Sequence, residues 1–353
     1  MSSYSKGCIG ALSVAVLLGL AGLARADEPI YENPQSLSLD PTVVTVAPDP
    51  NASTSTDSTD SSIVPQATFR EGQSTTQFLD DEPEKPNVHG FFGAEFNTAY
   101  VTPRGLVVQN EGLVIQPIIG LVLPIGDIGP LKGFTLAGGI WNDIDFAEAG
   151  DGNHTTGGWD ECDPFFSMSW TAAKKLSMNL TYVVFVSPQH AYAAEHNLDL
   201  KTTFDDTDTP WGKYLPLKPY VDLWYAISGG STVVLGNTGG SGYVELGVDP
   251  SFTFKPNPSY PITLTVPIYT SVGPRTYWAK RGLPGGNFGL FSTALKAQMP
   301  LSFVPGRYGG WHIDAGLTYD YLINTSLLDA GEIVSGNNNR NVLVGSLGFG
   351  LSF

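Results

Sequence analysis

The closing stretch of the chain, Arg340-NVLVGSLGFGLSF, decides the fold. Counted back in twos, Phe353, Leu351, Phe349, Leu347, Gly345 and Leu343 fall on one face. Ser352, Gly350, Gly348, Ser346 and Val344 fall on the other. Alternation with period two marks a β-strand with one apolar face. The second face is small and polar rather than charged. A strand of this kind suits a sheet with lipid on one side and a lumen on the other.

The opposite end of the chain points the same way. Lys6 precedes an apolar run from Cys8 to Leu23, and Ala24-Arg25-Ala26 follows before Asp27. A basic start, an apolar run too short for a comfortable spanning helix and an A-x-A step predict a secretory signal peptide over 1–26, with Ala24 and Ala26 forming the cleavage site. Cys8 comes too early to be a lipidated cysteine. Removal of the signal leaves Cys162 as the one thiol, so no intramolecular disulfide framework is expected.

Residues 27–88 are rich in Ser, Thr, Pro and acidic residues, with Arg70 and Lys85 as the basic ones. Such composition buries too little apolar surface to offset ordering entropy, which predicts a disordered periplasmic tail. Within it, Asp40-PTVVTVAP has some look of an energy-coupling box, but receptors that use one need a plug and a larger barrel.

From residue 89 onward, low charge (15% over the whole chain) and 41 glycines accompany alternating segments, with no apolar run long enough for a transmembrane helix. The segments lie near 90–101, 113–125, 133–146, 163–172, 175–187, 195–205, 217–228, 242–254, 261–272, 288–301, 310–323 and 340–353. The predicted fold is all-β: a closed antiparallel transmembrane barrel of about twelve strands over 89–353. In the segment 310–323, Trp311, Ile313, Ala315, Leu317, Tyr319 and Tyr321 oppose His312, Asp314, Thr318 and Asp320. The apolar faces carry no charged residue. Links after odd-numbered segments are mostly long and those after even-numbered ones mostly short, which places both termini in the periplasm. Asp206-TDTPWGKYLP is long for a periplasmic turn. Pro117, Pro164, Pro219 and Pro267 are awkward in a sheet without edges and predict bulges or strand starts.

The chain resembles a Gram-negative outer-membrane β-barrel protein. Phe349, Leu351 and Phe353 are similar to the C-terminal signal read by the barrel-assembly machinery, with Leu351 where an aromatic is commoner. Glu95-FNTAYVTPRGLVVQ and Phe134-TLAGGIWNDIDF resemble the opening strands of the short TorF-like porins. The likeness covers about the first third of the barrel and the terminus, and the acidic tail departs from the usual layout. It implies passive solute passage and no catalytic residues.

The lumen face is where function is expected. Its acidic residues are Glu95, Asp143, Asp145, Asp199, Asp222, Glu245, Asp249, Asp314 and Asp320. Lys201, Lys218, Lys296 and the titratable His312 stand against them. Carboxylates around a narrow aqueous path favour cations. The expected function is a weakly cation-preferring porin-like channel for small polar solutes in the outer membrane. The alternatives are a plugged structural or adhesive barrel in which these groups pair and, behind it, a barrel enzyme that modifies lipid. Inward Phe165, Phe185, Tyr220, Trp224 and Tyr269 are read as filling space.

Enzyme chemistry has little to stand on. His89, His154, His190, His196 and His312 come with no G-x-S-x-G elbow, and Ser187 near His190 reads as loop composition. The acids Asp143, Asp145, Glu148 and Asp151, with Asp160-Glu161-Cys162-Asp163, lack calcium-loop spacing, so no metal site is assigned. No cofactor is expected. The expected partners are outer-membrane lipid and lipopolysaccharide, the assembly machinery and small polar solutes. The formal net charge of −16 excludes nucleic acid.

Overall fold

A computed structural model describes residues 67–69, 73–75, 88–146, 158–173, 175–190, 192–228, 240–257, 260–278 and 286–353. The signal peptide expected over 1–26 lies outside the described residues. So does the tail expected over 27–88, apart from Val88 and the short paired segments Ala67–Phe69 and Gln73–Thr75.

Alternation along the chain yields long antiparallel strands, each paired with the next. They are β1 (His89–Asn97), β2 (Val114–Ile128), β3 (Leu131–Asp145), β4 (Gly158–Ala172), β5 (Leu176–Phe185) and β6 (Glu195–Phe204). β7 (Pro219–Ser228) follows, then β8, which runs over Ser241–Val248 and resumes over Ser251–Asn257. β9 is likewise broken, into Tyr260–Thr265 and Ile268–Val272. β10 (Phe288–Pro300), β11 (Gly310–Leu322) and β12 (Asn341–Ser352) complete the round. β12 returns to β1 with Leu347 opposite Phe96 and Leu351 opposite Phe92. The seam ends on Gly90, whose N–H donates to the Phe353 carbonyl at 2.6 Å. The Phe353 ring lies over Gly90, where a Cβ would come within 2.3 Å of it. The sheet is a closed barrel of 12 strands.

The two faces separate as the alternation requires. Ile119, Leu121, Leu317, Leu343 and Leu347 are exposed outward, Leu343 and Leu347 at 60% each. Their neighbours one step along each strand point inward and are more enclosed. An outer surface this continuous in large apolar side chains is that of a protein surrounded by lipid.

Several strand ends differ from the sequence reading. The first strand stops at Asn97 rather than at residue 101, because the chain then turns into the barrel. The fourth begins at Gly158 rather than at residue 163, which adds Glu161 to the inner wall. A bulge between Asp143 and Ile144 sets Asp143 opposite Glu161 and Ile144 opposite Trp159, so the register steps over Asp160, whose carboxylate accepts from Gln189 Nε2 at 2.7 Å.

Each proline is accommodated locally. Pro219 opens β7 and Pro267 sits in the break of β9. Pro164 pairs with Ile140 of β3, while the β4–β5 ladder starts one residue later. Pro117 interrupts the β2–β3 pairing, and outward-facing Asn142 covers the gap by donating to the Pro117 carbonyl at 3.4 Å. Asn142 Oδ1 in turn accepts from Trp159 Nε1 at 3.0 Å.

Alternate links meet at the same mouth. One mouth carries the described links 129–130, 205–218 and 301–309, and the other carries 98–113 and 323–340. The long turn 205–218 is organised by buried Asp206. Its carboxylate accepts from the backbone N–H of Leu217 and Lys218 and from Trp211 Nε1, each at 3.0 Å. Desolvation works against its charge, but those donors prevail and hold the Asp206 carboxyl below the usual carboxylate range.

Candidate functional site in the barrel bore

The bore is lined by the inward half of every strand, so its chemistry follows from register. Lys201 of β6 lies opposite Asp222 of β7, and Asp222 lies opposite Glu245 of β8. All three are buried. Lys201 Nζ is 3.3 Å from Asp249 Oδ2 and 3.9 Å above the Tyr220 ring. Asp199 is buried one step further along β6. On the facing wall, His312 Nε2 is 3.3 Å from Asp314 Oδ2, and Gln298 Nε2 donates to Asp314 Oδ1 at 2.9 Å. Asp320 of β11 lies opposite Ser292, and Lys296 of β10 lies opposite Gly316. Lys218 precedes β7 and donates to Ser251 Oγ at 3.2 Å.

Asn97 Nδ2 donates to Gln116 Oε1 at 3.0 Å, and Gln116 Nε2 donates to Asp143 Oδ1 at 3.1 Å. Asp145 is buried beyond Asp143 on β3, and Glu95 is half-buried on β1. The inner wall of β4 carries buried Glu161 and Asp163 near the long-link mouth, with Tyr192 Oη donating to Glu161 Oε1, and further along β4 and β5 it is uncharged. Asn179 Nδ2 donates to Ser167 Oγ and Ser169 Oγ at 2.8 Å each, and Thr181 lies 3.1 Å from Ser167. The register therefore turns every ionisable residue singled out for the lumen toward the bore or its edge. It divides them into a β6–β8 group and a group on β10 and β11, with Asp143 and Asp145 nearer the long-link mouth.

Sequence reasoning missed what enters this bore. After β1 the link 98–113 turns inward as a small hairpin, with Tyr100–Val101 paired to Val107–Gln109. The tip closes when Gly105 N–H donates to the Thr102 carbonyl at 2.7 Å and Leu106 N–H donates to Thr102 Oγ1 at 3.1 Å. Gly105 has φ +96°, and a Cβ there would meet Leu327 at 2.7 Å, so this position calls for glycine. Residues 99–108 are all buried.

Arg104, at the tip, is 1% exposed. Its guanidinium carbon lies 5.1 Å from the Phe185 ring centroid and 5.3 Å from that of Trp224. Those two rings are nearly parallel, 13° apart in plane. Glu195 Oε1 stands 3.7 Å from Arg104 Nη1. Burying a cation costs several kcal/mol even after relaxation. Two desolvated cation–π contacts of about 2 kcal/mol each, with a carboxylate alongside, offset a cost of that size.

Two more links add to the filling. α1 (Arg275–Trp278) buries Tyr277 and Trp278 against Tyr243, which itself packs on Trp224. α2 (Thr325–Ser335), N-capped by Asn324, packs on the hairpin strand Val107–Gln109 with Leu327 fully buried. Inward Phe165, Phe185 and Trp224 thus join loop residues Tyr100, Leu106, Tyr277, Trp278 and Leu327 in one apolar cluster inside the barrel. The exclusion of water at this level is a packing effect, as in an ordinary core.

Below the hairpin tip, two small spaces share Pro103, Lys296 and Thr318 in their lining. One also touches Lys201, Tyr220, Glu245, Asp249 and Tyr269, and the other Glu95, Gln116 and Asp320. Their free volumes are about 20 and 30 Å³, room for one or two waters each.

His190 and His196 are each engaged locally. His190 N–H donates to the Ser187 carbonyl at 3.0 Å, which makes a turn, and His196 Nδ1 is 2.6 Å from Tyr182 Oη on the outer face. His154, Glu148 and Asp151 lie outside the described residues. Among the described residues, no group of three or more His, Cys, Asp and Glu side chains is placed to hold a metal ion.

No protein-family model and no curated protein matches the chain. Among solved structures it is similar to an outer membrane channel from Pseudomonas putida F1, at 10% identity over 78% of this chain and 100% of that one, with a TM-score of 0.39. It is also similar to a bacterial polysaccharide outer membrane secretin, at 10% identity over 75% and 97%, TM-score 0.39. The NanC porin follows at 11% identity over 75% and 98%, TM-score 0.33. At these values the barrel stands on its own strand pairing.

Proposed function

We propose that this chain is an outer-membrane channel of porin type for small polar solutes, with a bore narrowed by its own links and a preference for cations. The observation that carries the reading is the inner wall itself. Asp143, Asp145, Asp199, Asp222, Glu245 and Asp320 are buried there, against Lys201 and Arg104 as buried cations among the described residues. A barrel filled only for strength would do as well with apolar side chains, since buried ion pairs add little stability over apolar packing. An excess of carboxylates along a narrow polar path is what cation passage uses. The outward apolar surface supports a membrane location, and in this reading both termini lie on the periplasmic side because the links at the opposite mouth are mostly the longer ones. The closing segment with Phe349, Leu351 and Phe353 serves recognition by the assembly machinery. Membership of the short TorF-like porins is part of the same proposal.

A second reading, a plugged barrel without transport, is favoured by the apolar cluster around Arg104 and by free spaces no larger than a few waters. Liposome swelling separates the two. Refolded protein is expected to admit small cationic and neutral solutes faster than anions of the same size. A barrel that is folded by gel shift yet swells liposomes no faster than lipid alone contradicts the channel reading and leaves the plug.

A further inference from the structure

We infer that the hairpin 98–113 is a removable stopper in the bore, and that Arg104, set against the stacked pair Phe185 and Trp224 and beside Glu195, is the residue that latches it. The inference rests on the channel reading above and adds a moving part to it.

Three observations support a latch rather than a permanent core. First, the occluding segment is a link between strands, so it can leave without breaking any strand-to-strand pairing of the barrel; its own pairing, Tyr100–Val101 with Val107–Gln109, is internal to it. Second, it turns at glycines with positive φ near both ends of its inner half, Gly105 at +96° and Gly112 at +82°. Third, its charged hold on the wall is at the tip. Phe185, Glu195 and Trp224 belong to three successive strands, β5 to β7, and all three meet one guanidinium. The rest of the hairpin packs on α2, which also belongs to a link, and makes apolar contact with wall residues such as Trp141, Leu290 and Val342. Those contacts are non-directional, so the tip is the one place where a specific charged partner fixes the seated position. The two small spaces roofed by Pro103 lie directly beneath and would join the mouth once the tip withdrew.

A permanent apolar core would have been served by Leu or Met at the tip. An arginine is held by its charge, through cation–π contact and a carboxylate, so replacing either kind of partner weakens its hold. Withdrawal would also strip a positive charge from the path. Arg104 is then a specificity residue as well: with the tip seated the bore carries a cation at the level of the apolar cluster, and with the tip withdrawn the carboxylates dominate.

The test uses full-length refolded protein with Cys162→Ser, in which Thr318→Cys reports access to the inner space. A membrane-impermeant maleimide is applied to reconstituted vesicles, and bilayer conductance is recorded in parallel. Arg104→Ala and Glu195→Gln are each expected to raise the Thr318→Cys labelling rate about tenfold and to lengthen open dwell times. Arg104→Lys, which keeps the charge and loses the guanidinium, is expected to fall between. Reversal potential should shift toward cations in Arg104→Ala more than in Glu195→Gln, a difference that loosened packing alone would not produce. Labelling that rises without conductance supports the stopper and contradicts the channel reading. Labelling and dwell times unchanged in both variants, with the barrel folded by gel shift, overturn the latch. Opening on replacement of residues 100–108 by a short Gly-Ser link, with none in Arg104→Ala or Glu195→Gln, overturns the role of Arg104.

Discussion

At the scale of the residue, Asp206 and Arg104 show how a single side chain organises a link. Asp206 gathers two backbone N–H groups and an indole, and thereby makes a compact unit of the turn 205–218. Asp206→Ala is expected to cost about 2 kcal/mol, the order of a charge-assisted hydrogen-bond set lost from a buried site. Equilibrium unfolding in urea with lipid present measures it. Because the folded carboxyl sits below its unfolded value, this contribution is present above the unfolded pKa and fades as pH falls through the folded one. The wild-type advantage over Asp206→Asn should therefore shrink toward acid, and an advantage that grows on acidification would be inconsistent with the hub. Arg104 was legible only as a loop residue. Burial of a guanidinium depends on Phe185, Glu195 and Trp224, which lie far along the chain and carry no local sign of their meeting. One signal was available: Val101, Leu106, Val107 and Val108 are too apolar for a water-exposed external link.

At the scale of the element, the two faces of each strand answer differently to the same change. Leu317→Arg in β11 puts a cation on the outward face and is expected to cost about 2–4 kcal/mol near the membrane midplane. Thr318→Arg, one residue along, points into the bore and should cost less while reducing cation preference. Urea titration with gel shift and reversal potential give the two readouts. Equal destabilisation by both would contradict the assigned faces. Strand positions were largely readable because period-two alternation is a local property of the sequence. The misjudged ends share one physical cause. Alternation does not reveal where a chain leaves the sheet, so β1 was carried past Asn97 into the inward hairpin. At β4 the bulge beside Asp160 broke the pattern that would have marked Gly158 as the start. Outward-facing Asn142 had no explanation in the sequence; the gap left by Pro117 supplies one. Asn142→Leu should cost about 1 kcal/mol through the loss of bonds to Pro117 and Trp159, and no measurable loss would show that lipid or water can cover the gap instead.

At the scale of the whole molecule, closure of β12 on β1 removes every exposed edge, and the links of one mouth then fill what closure encloses. The sequence carries the barrel and its charged wall plainly, since both follow from residues that alternate along single strands. The filled mouth was not legible in the same way. It arises from the hairpin 98–113, from Arg275–Trp278 and from the link 323–340, which converge only after the sheet has closed. Single-channel recording of refolded protein lacking residues 1–26, in planar bilayers under a KCl gradient, tests the central claim most directly. The account predicts long closed periods broken by small openings with a cation-biased reversal potential. A permanently open, weakly selective pore would contradict the filled bore, and silence from a barrel shown by gel shift to be folded would contradict the channel.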